Sequence, residues 1–148
     1  MLNPPLRLLG AFQQETDEEP AHVIKLDERQ MWVAAKMNTG IRMTVVAVDK
    51  DARVTFDRSS VRRKQTSHKR KLPAWSYYMA GAVSELDRRG LDLQGATLVI
   101  AGDEPLGPRY EHALGIAFCA FWHHINETTY DSETLMDMME AVRQGYLP

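Results

Sequence analysis

The stretch GATLVIAGDEPLGPRYEHALGIAFCAFW, Gly95 to Trp122, decides the fold. Ala96 to Ala101 is a continuous apolar run, the pattern of a strand covered on both faces. A tight polar turn follows, shaped by Gly102, Pro105 and Gly107. A helix is then expected from about Tyr110 to Asn126, apolar nearly all round (Ala113, Leu114, Ile116, Ala117, Phe118, Ala120, Phe121, Trp122), which implies burial. A buried strand running through a tight turn into a buried helix presents helix N–H groups and the positive dipole end, an arrangement suited to phosphate. The residues at the mouth do not match that chemistry. After Gly107 come Pro108, Arg109, Tyr110, Glu111 and His112, where a phosphate cradle calls for glycines and serines.

Outward from this unit, short strands are expected at HVIKL (His22 to Leu26) and MWVAAKM (Met31 to Met37). Better ones are IRMTVVAV (Ile41 to Val48) and RVTFD (Arg53 to Asp57), which form a hairpin around the turn DKDA. Residues 58–73, SSVRRKQTSHKRKLP with the preceding Arg, read as a charged loop without apolar period. A helix begins at Ala74, with Trp75, Met79, Ala82 and Leu86 on one face beside Tyr78 and Val83, and Gly90 closes it. A last helix follows Asp131 or Ser132 and carries Leu135, Met138, Met139 and Val142 inward, stopping before Gly145. The first twenty residues, ending in QQETDEEP, read as a loop. Strands first and helices later give an α+β fold: one domain over 1–148, a mostly antiparallel sheet backed by helices.

The 148 residues, 44% apolar and 26% charged, suit one soluble globular domain with a real core. No run approaches the ~18 apolar residues of a membrane span, and the N-terminus lacks a secretory signal pattern. The single cysteine, Cys119, cannot form an internal disulfide and fits the cytoplasm. The net charge of −2 conceals an asymmetry. Residues 58–73 hold seven Lys/Arg and no acid, whereas residues 74–148 hold eleven acids against four Lys/Arg.

The segment WSYYMAGAVSELDRRGLDLQGATLVIAGDEPLG, Trp75 to Gly107, resembles the N-terminal half of galactokinases, members of the GHMP small-molecule kinases. Trp75 and Tyr78 match a Trp-x-x-Tyr, Gly81 a helix glycine, and GDEPLG the approach to the phosphate loop. VAAKMNTGIRMTVVAVDKDARVTF resembles the preceding hairpin more weakly, so the similarity covers about 33–126. It implies a GHMP N-terminal domain with a left-handed βαβ connection. It also implies ATP and Mg2+ as cofactors, and phosphorylation of galactose or a related sugar at the anomeric hydroxyl. The nucleotide site it implies comprises Pro105, Leu106, Gly107 and Arg109, with Trp75 near the base.

Several family parts are replaced. Arg109 stands for a glycine, and Glu111, His112 and Ala113 stand for serines. Pro108 removes an N–H donor, and a Cβ and guanidinium obstruct close backbone approach to phosphate. Glu111 opposes a polyphosphate by ~1 kcal/mol or more. In NPPLRLLGAFQQETD, Leu8, Leu9 and Gly10 match the family's N-terminal motif, but Pro5 falls where an Arg assisting transfer belongs. The family's catalytic Asp and second domain lie beyond the helix ending near Gly145. No catalytic residue is therefore assigned, and activity is expected to be weak or absent without a second polypeptide that completes the kinase.

Plainer readings stand beside these. Trp75 is equally a core aromatic, and Arg109 a solvated loop arginine. His123 and Glu127, at i,i+4, could share a metal, but two ligands do not make a zinc site. Cys119 reads as an inert core thiol. The array Arg62, Arg63, Lys64, Lys69, Arg70 and Lys71 reads either as a mobile loop that offsets the acidic C-terminal half, or as a contact for nucleic acid. In the second case the chain would be a non-catalytic pseudokinase remnant that binds nucleic acid or a protein partner.

Overall fold

A five-stranded sheet in the order β1-β2-β5-β3-β4 lies between one helix on one face and three on the other. The computed structural model describes residues 3–148, apart from the side chain of Glu28. The strands are β1 His22–Leu26, β2 Met31–Met37, β3 Met43–Ala47, β4 Ala52–Phe56 and β5 Ala96–Gly102. All neighbouring pairs are antiparallel except β3 with β5. β5 therefore enters between the two hairpins, and every one of its residues is buried. Its alternation divides the core. Ala96, Leu98 and Ile100 face the three-helix side, while Val99 and Ala101 face the single helix.

That single helix, α1 Leu6–Thr16, corrects the expectation of an N-terminal loop. Pro5 precedes its first residue, and Leu8 and Phe12, one turn apart, are fully buried against Ala34, Val99 and Ala101. Two such anchors contribute about 1.5–3 kcal/mol each, enough to hold a helix that leaves Leu6 85% exposed. Leu6, Leu8, Leu9, Ala11 and Phe12 do not by themselves mark one face, and only the sheet singles out Leu8 and Phe12 as the fully buried pair.

The region 58–73 also departs from a plain loop. Arg58–Arg62 forms a short helix, α2. The Asp57 carboxylate accepts the Ser60 N–H (2.8 Å), and the Asp57 N–H donates to the Ser60 hydroxyl (2.9 Å), a reciprocal cap. Residues 64–72 then fold back on themselves, with a bridge between Gln65 and Lys71. Val61 and Leu72 anchor both ends in the core.

On the far face lie α3 Tyr77–Arg88, α4 Pro108–Ile125 and α5 Ser132–Gly145. Trp75 lies in a 3-10 turn, Ala74–Ser76, ahead of α3 rather than within it. Gly81 and Gly115 set the helix spacing. A Cβ on Gly81 would meet Val142 at 2.5 Å, and one on Gly115 would meet Met139 Sδ at 2.5 Å and Tyr78 Cβ at 2.8 Å. α4 is buried from Ala113 to His123, as its all-round apolarity implies. Asp131 caps α5 by accepting the Thr134 N–H at 2.8 Å.

Candidate functional site

Five segments meet at the C-terminal end of β5: the start of α1, both hairpin turns, the residues after Gly102, and the first turn of α4. Both hairpins turn alike, through a 3-10 turn closed by a residue in the left-handed region, Gln30 (φ 51°) or Asp51 (φ 51°). This construction delivers three arginines and three acids to one edge: Arg7, Arg29, Arg109, Asp49, Asp103 and Glu104.

Asp49 organises the inner part. Its Oδ2 accepts the Gly102 N–H at 2.8 Å and the Tyr110 hydroxyl at 3.2 Å, and its Oδ1 accepts Arg7 Nε at 3.2 Å. Arg7 also donates to the Gly102 carbonyl at 2.8 Å and lies 3.7 Å from Asp103. Tyr110 is fully buried. Burial first, then the Asp49 charge, push its phenol pKa well above the ordinary value, so the hydroxyl remains a donor. A single carboxylate thus joins α1, a hairpin turn, β5 and α4.

Arg29 organises the outer part. It donates to Glu104 Oε1 at 3.1 Å, to the Arg109 carbonyl at 3.1 Å and to His112 Nδ1 at 3.0 Å. Arginine has no acceptor, so Nδ1 of His112 must be unprotonated. Burial, and then the Arg29 charge, lower the His112 pKa, with Glu104 opposing. Its ring meets Tyr78 edge-on at 5.1 Å. The Glu104 side chain is only 10% exposed and also lies 3.8 Å from Arg109.

The sequence-derived nucleotide site is spread along this edge. Pro105, Leu106 and Arg109 are exposed, with Leu106 at 56%. Gly107 has φ 133°, open to glycine alone among the common residues, and leads directly into Pro108 as the first helical residue. Trp75 is partly buried against the core, and its turn packs on α4. The Tyr78–His112 contact places the start of α3 beside the first turn of α4. Pro105, Leu106, Gly107, Arg109 and Trp75 therefore belong to one side of the molecule.

The residues present do not fit a magnesium nucleotide as they stand. Residues 103–113 contain no Ser or Thr. Asp103 and Glu104 pair with arginines, and the nearly buried Glu104 carboxylate with Glu111 puts negative charge at the helix end that would attract phosphate. The Arg109 side chain is 82% exposed, with its guanidinium 3.8 Å from Glu104. Beside Arg29, on the side of α5, lies a cavity of about 240 Å³ lined by Lys25, Asp27, Ile116, Leu135 and Met136 among others.

The remaining candidates separate. Glu127 lies beyond the end of α4, with φ 54°, so the helical spacing to His123 does not apply. His123 instead holds Thr128 at 2.7 Å. Among the described residues, no three His, Cys, Asp or Glu side chains are arranged to hold a metal ion. Cys119 is fully buried, and burial drives its thiol pKa far up, so it is unreactive. No helix among the described residues is long and apolar enough to cross a membrane.

Arg7, Asp49, Arg29, Glu104 and Tyr110 were missed as a site by reading the sequence. The partners are 42, 75 and 61 residues apart in Arg7–Asp49, Arg29–Glu104 and Asp49–Tyr110. The signals available were the DKDA turn, which holds Asp49, and GDEPLG, which holds Glu104.

No protein-family model and no curated protein matches the sequence. Solved structures do. Galactokinase from Lactococcus lactis, complexed with galactose, superimposes with a TM-score of 0.69 at 14% identity, covering 94% of this chain and 42% of that one. A mevalonate kinase gives 0.56 at 11% identity, over 77% of this chain and 36% of that one. The Methanococcus jannaschii mevalonate kinase gives 0.57 at 10% identity, over the same shares. The fold is that of GHMP kinases, and the chain spans less than half the length of the kinases it matches.

Proposed function

We propose that this chain is the nucleotide-side half of a galactokinase-like sugar kinase, cytoplasmic, whose phosphate loop is held shut by its own charges. The reaction of such a kinase is ATP-dependent phosphorylation of galactose or a related sugar at the anomeric hydroxyl. A kinase built with these 148 residues takes its base and sugar-closing domain from elsewhere, such as a second polypeptide.

One observation carries this reading. The strand–turn–helix of the GHMP kinase fold persists, with Gly107 and Pro108 shaping the turn, and Arg29 pairs with Glu104 at 3.1 Å just before that turn, on this reading across the approach of phosphate. Phosphoryl transfer depends mainly on positioning and charge neutralisation. Here the local cations are spent on local carboxylates. ATP–Mg affinity is therefore low, and the chain alone does not turn over galactose.

Two measurements test this. A coupled assay on protein free of host kinase should show no turnover above background; clear turnover overturns the inactivity. Calorimetric titration of ATP–Mg against R109G/E111S/H112S/A113S should show a gain of ~1–3 kcal/mol over the unmodified chain, from new hydroxyl contacts, closer approach to the backbone N–H groups and loss of the Glu111 charge. A folded repaired variant that binds no better removes the nucleotide site from the proposal.

A further inference from the structure

The geometry points to a second, separate site: the folded-back arm at residues 63–71 is a docking surface for the phosphate backbone of double-stranded nucleic acid. Arg63, Lys64, Lys69, Arg70 and Lys71 are all exposed on it. Arg58 and Arg62, at its base, pair with Asp87 at 3.1 and 3.6 Å. Beyond that point the pairing stops. Among the described residues, Lys64, Lys69, Arg70 and Lys71 make no ion pair. The Lys64 ammonium lies over the Tyr146 ring at 5.1 Å, and Arg63 bonds the Ser59 hydroxyl at 3.1 Å. Arg58 and Arg62 thus offset Asp87 of the acidic C-terminal half, whereas Lys64, Lys69, Arg70 and Lys71 leave their charge to solvent.

The arm is also held in shape. The Thr66 N–H donates to the Arg70 carbonyl at 2.7 Å, and the Thr66 hydroxyl accepts the N–H groups of His68 and Arg70, each at 3.2 Å. The Ser67 N–H donates to the Thr55 carbonyl at 2.9 Å, and its hydroxyl donates to Asp57 at 2.8 Å. The Leu72 N–H closes onto the Lys64 carbonyl at 3.2 Å. Lys64 and Lys69 are fixed in the left-handed region, at φ 54° and 64°, where lysine is strained. Cations presented on such a frame lose little backbone freedom when they bind, which favours a surface already formed for its partner.

The chemistry of the arm selects the partner class. Val61 and Leu72 are buried, so the arm exposes no apolar side chain to enter a bilayer or to form the dry centre of a protein interface. It carries no Phe, Tyr or Trp on which unpaired bases could stack, His68 being its one ring. What remains is a closely spaced set of Arg and Lys donors, the footprint of sequence-independent contact with duplex phosphates.

The test is fluorescence anisotropy of a labelled 20-base-pair DNA duplex, titrated with the whole chain between 50 and 200 mM salt. Binding should weaken with salt at a log–log slope of about −3 to −4, one unit for each phosphate contacted. K69S/R70S should bind about tenfold or more weakly at 100 mM salt and lose about two units of slope. R42S/K50S removes the same charge from exposed positions elsewhere and should bind as the unmodified chain does, with circular dichroism confirming that both variants are folded. Absence of duplex binding at 50 mM salt overturns the inference. So does equal weakening in both variants, which would mean net charge alone. Tighter binding to phosphatidylserine vesicles or to single-stranded DNA than to the duplex overturns it as well.

Discussion

The edge at the end of β5 and the arm at 63–71 are built from the same side-chain types and behave oppositely. At the edge, Arg7, Arg29 and Arg109 meet Asp49, Asp103 and Glu104, and the charges are consumed within the protein. On the arm, Lys64, Lys69, Arg70 and Lys71 have no carboxylate partner among the described residues and face solvent. The difference lies in what the fold brings near. Five segments of distant sequence converge on the edge, whereas the arm is a local excursion from β4, tied back to Thr55 and Asp57 and touching the chain's end at Tyr146. Burial follows the same division. Glu104 is 10% exposed and Arg109 82%, so even within the edge the inner partner sets the strength. Breaking a paired, half-buried charge costs the fold far more than removing an exposed one.

The sharpest way to break this contrast is Asp49→Ala. It leaves the buried Tyr110 hydroxyl and the Gly102 N–H without their acceptor and Arg7 without its principal partner. The expected loss is about 3 kcal/mol or more, a fall in Tm of about 6–12 °C for a chain of this size. A drop under 2 °C in a thermal melt would mean that the edge is not held by this carboxylate.

Glu104→Gln is the next probe. It keeps an acceptor for Arg29 but removes the charge, so destabilisation should be smaller, about 1–2 kcal/mol by chemical denaturation. Glu104 holds the His112 pKa up against burial and Arg29. NMR titration of the His112 ring should therefore show its pKa falling in the variant. A rise would place the ring away from Arg29.

Stability against pH separates the packed regions from the arm more gently. Burial lowers the pKa of His22, His112 and His123 below the ordinary imidazole value, with His124 adding to the effect on His22. The unfolded chain then takes up protons at higher pH than the folded one. The contribution is complete above about pH 6.5 and is lost as pH falls below it. Tm should decline by a few degrees between pH 7 and pH 5, before the carboxylates Asp57 and Glu85, whose pKa values are lowered, begin to protonate. His112→Gln should flatten part of that slope; an unchanged slope would assign it to the other histidines.

The smallest effect is expected on the arm. Replacing Arg62, Arg63, Lys64, Lys69, Arg70 and Lys71 with Ser should leave Tm within a few degrees, because exposed charges matter by less than ~0.5 kcal/mol each. Most of any loss should trace to Arg62, beside Asp87, and to Lys64, over Tyr146. A collapse in Tm would mean that the arm supports the fold, and that its cations are structural.

The sequence by itself determined the strands and the helices α3, α4 and α5, because their apolar periods are strong enough to survive without partners. β5 showed its two-sided burial in Ala96–Ala101, and α4 its burial in residues apolar on every face. The turn at Gly107 was legible for the same reason: glycine and proline fix the backbone locally. Tertiary structure decided the rest. α1 exists because β5 and β2 give Leu8 and Phe12 a surface to cover, and a helix of 11 residues is marginal in water without one. The arm's frame rests on Asp57 reaching Ser67, ten residues away, which no local pattern announces. Above all, the partners of Arg7 and Arg29 were set by the insertion of β5 between two hairpins. Charge pairing depends on proximity in space, and only the order of strands in the sheet fixed which turns would share an edge.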